Sequence, residues 1–156
     1  MVKFYLLKAR DSTKLADEFK AEWIALLQAP KLDISKPHGF SSINFMSASQ
    51  NILLHMSFRP GINVIVFNSK TKDGAWGPEE RISFMGRFGM NPIIGVYDHG
   101  DRYQVLFDNE TVIYYNKRIH ETATMLQYNV DAGKTAVFGE ALGVNTYSSF
   151  GEISPA

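Results

Sequence analysis

The sequence predicts an all-β protein, an antiparallel sandwich or barrel, and three observations carry that prediction. From Asn51 onward apolar and polar residues alternate with period two, as in "NILLHMSFR", so one side of each extended segment is greasy and the other wet. The segments are short and are divided by the turn sequences "PGIN", "DHGD", "DNET" and "DAGK". The same form then recurs in "PIIGVYD", "RYQVLFD", "TVIYYN", "TMLQYN", "TAVFG" and "VNTYSSF", each read as a strand.

Taken in order, the chain first offers a segment that resists this reading. Between Ser12 and Ala29, Leu15, Phe19, Trp23, Ile24 and Leu27 recur at spacings close to those of a helix, behind an Asp or Ser able to cap it. The strand "NILLHMSFR" places Ile52, Leu54, Met56 and Phe58 on a core face and His55, Ser57 and Arg59 on the other. "PGIN" turns the chain, and "VIVFN" returns with Ile65 and Phe67 inward and Val64, Val66 and Asn68 outward. A hairpin closed over Pro60 to Asn63 sets Arg59 opposite Val64, Ser57 opposite Val66 and His55 opposite Asn68. A third strand, "PEERISF", turns Ile82 and Phe84 inward, which leaves Glu79 and Arg81 on the shared polar face.

Composition narrows what such a face could meet. The 156 residues suit one domain, residues 1–156. Sixteen basic residues balance sixteen acidic ones, so no long-range field draws in nucleic acid or an anionic membrane surface. Without cysteine there is no disulfide, thiolate metal site or thiol nucleophile. The N-terminal segment lacks the unbroken apolar stretch of a secretion signal, and no window approaches the roughly 20 apolar residues of a spanning helix. Synthesis in the cytosol without membrane insertion is expected, with any export by an unconventional route.

His55, Ser57, Arg59, Asn68, Glu79 and Arg81 thus converge on one sheet face, with Trp76 in the connection before the third strand, between the small residues Ala75 and Gly77. Two guanidiniums, an imidazole, an amide and a carboxylate supply directed donors and acceptors, and an outward indole supplies an apolar plate. A sugar needs both, because a galactose ring has one face of C–H groups and a rim of hydroxyls. A carboxylate between arginines is held in place by charge-assisted bonds.

The pattern "HMSFR…VIVFNS…DGAWGPEER" resembles the carbohydrate-recognition signature of galectins, and the chain as a whole is similar to the small galectins of mushroom fruiting bodies. The resemblance runs from about Asn44 to Asn129 and implies a two-sheet antiparallel jelly-roll sandwich that binds β-galactosides, such as lactose, N-acetyllactosamine and galactose-terminated glycans. It implies that His55 and Arg59 hold the galactose 4-hydroxyl, that Arg59 also reaches the ring oxygen, and that Asn68 and Glu79 hold the 6-hydroxyl. Glu79 and Arg81 would meet the next sugar, and Trp76 would stack on galactose. Ser57 departs from the animal pattern, which has Asn there, so selectivity should lean on His55 and Arg59. Asn44, on the preceding strand, would extend the site beyond galactose. The resemblance also reads residues 12–29 as strand and loop, against their helical spacing, and implies a homo-oligomer, a tetramer ahead of a dimer, that cross-links glycans.

Other chemistries find less support. A glycosidase needs two carboxyl groups about 5–10 Å apart across the bond, and this face offers only Glu79, kept ionised by its arginines. "DHGD", Asp98 to Asp101, reads as a hairpin turn rather than a catalytic His with two acids. His38, His99 and His120 lack the spacing of metal ligands, and neither metal nor cofactor is expected. A sandwich whose polar face binds a protein loop is the remaining alternative.

Overall fold

The computed structural model describes residues 2–34 and 39–153, so His38 lies outside the described residues. It is all β: two six-stranded antiparallel sheets packed face to face as a jelly-roll sandwich. One sheet runs β1 (Val2–Lys8), β12 (Ala141–Tyr147), β3 (Ile24–Gln28), β8 (Ile93–Asp98), β9 (Arg102–Phe107), β10 (Glu110–Asn116). The other, which carries the polar face, runs β2 (Asp11–Phe19), β11 (Ala123–Val130), β4 (Ser41–Met46), β5 (Ile52–Arg59), β6 (Val64–Lys70), β7 (Glu80–Ser83).

The alternation read in β5 and β6 holds at their centres. Leu54, Met56, Phe58, Ile65 and Phe67 are fully buried between the sheets, each such side chain stabilising the fold by about 1.5–3 kcal/mol. Phe58 meets Phe138 edge to face at 4.7 Å, and Phe88 and Phe107 complete the cluster. This packing fixes the strand whose outward residues form the site. The expected pairs Arg59–Val64, Ser57–Val66 and His55–Asn68 are present.

Three readings need correction. Ile52 is only half-buried while Leu53 is buried, because the register slips between Ile52 and His55 and turns the start of β5. "PEERISF" pairs only over Glu80–Ser83, so Glu79 stands just before the strand. "TAVFG" is no strand: Ala136, Val137 and Phe138 plug the core from a loop. Two of its N–H groups are met by side chains, with Ser41 Oγ accepting from the Val137 N–H and Tyr128 Oη from the Phe138 N–H, while the Val137 carbonyl accepts from the Asp33 N–H.

Residues 12–29 form β2, a turn and β3, and the helix-like spacing has a physical source. The pairing of β2 with β11 jumps from Lys14–Met125 to Phe19–Ala123, an irregularity that lets Leu15 and Phe19, four residues apart, both face the core while Asp17 stays exposed. Glu22 then takes a positive φ of 79° and turns the chain into β3.

"DHGD" closes the β8–β9 hairpin. Asp98 is fully buried, with its carboxylate 2.8 Å from Lys117 Nζ and accepting the Gly100 N–H at 2.7 Å. That pair lies within one sheet; between the sheets, Tyr115 Oη and Ser69 Oγ share a 2.5 Å hydrogen bond. Replacing one partner of a buried ion pair strands the other, at a cost of about 3–5 kcal/mol. Lys117→Met is therefore expected to lower the melting temperature by about 6–20 °C at 2–4 °C per kcal/mol; thermal unfolding followed by circular dichroism checks this.

Candidate functional site

The six outward residues named from the sequence come together along an open groove of about 370 Å³, lined on one side by Trp76, Gly77 and Glu79 and floored by His55, Ser57, Val66 and Asn68. Arg81 stands at its end, bonded to Glu79. The far wall was not legible beforehand: Phe40 and Ser42 at the head of β4, and Asn129, Val130 and Asp131 at the end of β11.

Trp76 is 45% exposed, far more than an indole serving a core. Its ring centre stands 4.4 Å from that of His55 at an angle of 41°, and the indole lines the groove. The connection that carries it is pinned from both ends: Gly77 N–H donates to the Ser69 carbonyl, and Lys72 N–H to Asn51 Oδ1.

His55 is set in one protonation state and one tautomer. Its Nδ1 lies 2.6 Å from Asn44 Oδ1, and Asn44 directs that oxygen at the ring because its Nδ2 donates to Gln127 Oε1 at 3.1 Å. A carboxamide oxygen only accepts, so Nδ1 carries the proton and Nε2 keeps a free lone pair. Burial first, and then the Arg59 charge, lower the pKa of His55 to about 4, with Glu79 pulling weakly the other way. The ring is neutral at physiological pH. Asn44 is 2% exposed and both ends of its carboxamide are engaged, one with His55 and the other with Gln127.

Arg59 is held on three sides. Its Nε donates to Ser57 Oγ at 3.0 Å, its Nη2 is 3.7 Å from Glu79 Oε2, and its guanidinium lies 4.2 Å above the Phe40 ring. The short Ser57 side chain, 2% exposed, thus aims the arginine. Glu79 Oε1 accepts from Arg81 Nε at 2.8 Å and Nη2 at 2.5 Å. The Arg81 hydrogen bonds first, and the Arg81 and Arg59 charges further, hold its carboxyl below the usual carboxylate range. The expectation of an ionised Glu79 agrees with this direction.

Asn68 is buried at 2% exposure. Its Oδ1 accepts from the Ser69 N–H and from Arg118 Nη1, both at 2.8 Å, and its Nδ2 donates to the Gly77 carbonyl at 2.8 Å. One Nδ2 hydrogen stays uncommitted among these bonds. Neither Arg118 nor Gln127 was picked out from the sequence, and no local signal marks them, since they lie 50 and 83 residues from the side chains they hold. Among the described residues no group of three His, Cys, Asp or Glu gathers to hold a metal.

The assembly can accept a hydroxyl proton at a neutral imidazole, donate from guanidiniums and an amide, and stack a ring face. Residues 15–136 match the family model for galactoside-binding lectins. Galectin-1 of Coprinopsis cinerea is 46% identical over 153 residues, covering 97% of this chain and 99% of that protein, and Galectin-2 of the same fungus is 44% identical with the same coverage. The fold is also that of the Caenorhabditis elegans galectin LEC-6, with a TM-score of 0.73 over 92% of this chain and 95% of that one at 13% identity. On these matches the chain belongs to the galectin family, the galactoside-binding lectins, and stands close to the galectins of mushrooms.

Proposed function

We propose that the chain is a single carbohydrate-recognition domain that binds β-galactoside termini through His55, Arg59, Asn68, Trp76, Glu79 and Arg81, without chemical change to the glycan. The observation that carries this reading is the half-exposed Trp76 indole standing beside a His55 whose free Nε2 faces a groove of fixed polar groups. A galactose stacked on the indole turns its axial 4-hydroxyl toward His55 and Arg59, where the hydroxyl donates to Nε2 and accepts from the guanidinium. An equatorial 4-hydroxyl, as in glucose, misses both, so each buried polar partner is left unpaired. Ser57 serves this contact by holding Arg59, and Asn44 by holding His55.

Hydrolysis needs a carboxyl that stays protonated near neutral pH. Glu79 is held ionised by Arg81, which suits binding rather than proton donation. A disaccharide of about 23 heavy atoms at about 0.3 kcal/mol each binds with at most roughly 7 kcal/mol, or about 10 μM. Avidity on a glycan-coated surface outside the cell then needs several sites per particle and an unconventional export route.

An apolar face of the opposite sheet supports the reading of a homo-oligomer. The outward row Phe4, Asn145, Leu26, Gly95 and Leu106 crosses five strands of the opposite sheet, and neither it nor the rows beside it, through Val2 and Leu6, carries a charged residue. Phe4 is 67% exposed, with Val2 and Leu6 at 51%. Absence of charge with exposed apolar side chains marks an interface core.

Lactose is expected to raise the melting temperature and shift the Trp fluorescence, while glucose and mannose do neither. Trp76→Ala should weaken lactose binding at least about 30-fold by calorimetry yet move stability by only about 0.5 kcal/mol, as for a surface change. A large loss of stability would mean that the ring is core. Because the folded pKa of His55 is depressed, its neutral form persists down to about 4. Lactose affinity is therefore expected to stay level from pH 8 to about 5.5 and to fall as the pH drops through about 4, where Nε2 gains a proton; titration across this range checks it. Phe4→Asp should dissociate the oligomer in sedimentation velocity while leaving affinity per site unchanged, and a wild-type chain that sediments as a monomer would remove the cross-linking role.

A further inference from the structure

We propose that Arg118 is a positioning residue for the galactoside site: from the end of the other sheet it fixes the orientation of the Asn68 carboxamide and so determines how strongly the 6-hydroxyl is recognised. This rests on the galactoside reading given above.

Arg118 follows β10 and reaches across the open edge of the sandwich to the underside of the Trp76 connection. Its guanidinium forms a fork, with Nη1 donating to Asn68 Oδ1 at 2.8 Å and Nη2 to Glu80 Oε2 at 3.0 Å, while its plane lies 5.1 Å from the centre of the Tyr115 ring. Tyr115 is itself fully buried and tied to Ser69. Three anchors therefore hold a cation that does not line the groove.

The consequence falls on Asn68. An amide can turn over and exchange its oxygen for its nitrogen at little cost when its surroundings do not discriminate. Here a cation and the Ser69 N–H both point at one end, and only an oxygen can receive them. Nδ2 is therefore held toward Gly77 and the groove, and its second hydrogen is left for a ligand oxygen. A hydroxyl that accepts this hydrogen can donate its own to the Glu79 carboxylate, which only accepts, so amide and carboxylate together suit a hydroxyl and reject a group without one. The glycine at position 77 belongs to the same device. A β-carbon there would stand 2.8 Å from Arg118 Nη1 and 3.3 Å from Asn68 Oδ1, so the bare backbone lets the guanidinium reach the amide.

The test compares lactose with 6′-deoxylactose, which lacks only the galactose 6-hydroxyl, by calorimetry on the wild type, Arg118→Met and Glu80→Gln. The wild type should prefer lactose about 10-fold, the factor equivalent to about 1.4 kcal/mol. Arg118→Met should reduce that preference to about 2-fold or less while affinity for 6′-deoxylactose holds within about 2-fold. Glu80→Gln, which removes the other anchor of the guanidinium and leaves the groove lining intact, should erode the preference by an intermediate factor even if the Met variant folds poorly. Loss of both ligands in equal proportion by the variants, or an undiminished preference, would overturn the role of Arg118. So would a wild type that binds both ligands equally. A wild type that binds neither lactose nor any galactoside would instead remove the galactoside reading itself.

Discussion

The register of β5 against β6 is the constraint on which the rest of the molecule depends. With His55 opposite Asn68 and Ser57 opposite Val66, the inward turns of both strands bury Met56, Phe58, Ile65 and Phe67 completely. A slip of one residue would send those side chains into water and put the imidazole, hydroxyl and guanidinium between the sheets. The core and the groove are thus two sides of one choice. The aromatic cluster around Phe58 both stabilises the sandwich and holds the polar side chains above it in place.

Above that floor, the groove is organised before any ligand arrives. Each of these polar side chains is held by a partner: His55 by Asn44, Arg59 by Ser57 and Phe40, Glu79 by Arg81. Long side chains lose rotamer freedom when they are fixed, and here that loss falls on folding rather than on binding. Charge is arranged with the same economy. Arg59 and Arg81 keep Glu79 ionised, and Arg59 together with burial keeps His55 neutral, so a hydroxyl meets two acceptors and a bank of donors in one groove.

Much of this was legible because strands print their faces in the sequence with period two. Six polar residues and a Trp fell on one surface by alternation and a hairpin, and the structure brings them to one groove. What failed had identifiable causes. The spacing of Leu15 and Phe19 imitated a helix because a pairing irregularity in β2 makes a four-residue step between two inward positions. "TAVFG" has the composition of a strand but closes the core as a loop, with Ser41 and Tyr128 side chains standing in for a neighbouring strand. Asn44 was visible on its strand but not its bond to Gln127, which lies 83 residues away in the chain. Pairs such as Arg118 and Asn68 leave no local trace.

Lys117 and Arg118 are adjacent in the chain and face different duties. The first neutralises Asp98 inside the β8–β9 turn of one sheet, and the second grips Asn68 and Glu80 in the other. Two consecutive cations thus form a rivet between the β8–β9 hairpin and strands β6 and β7, and the spacing of that rivet is one peptide unit. A chain lengthened by a residue at this point would satisfy one clamp at the expense of the other, so this short connection should be among the least tolerant of insertion in the protein, although it touches no ligand.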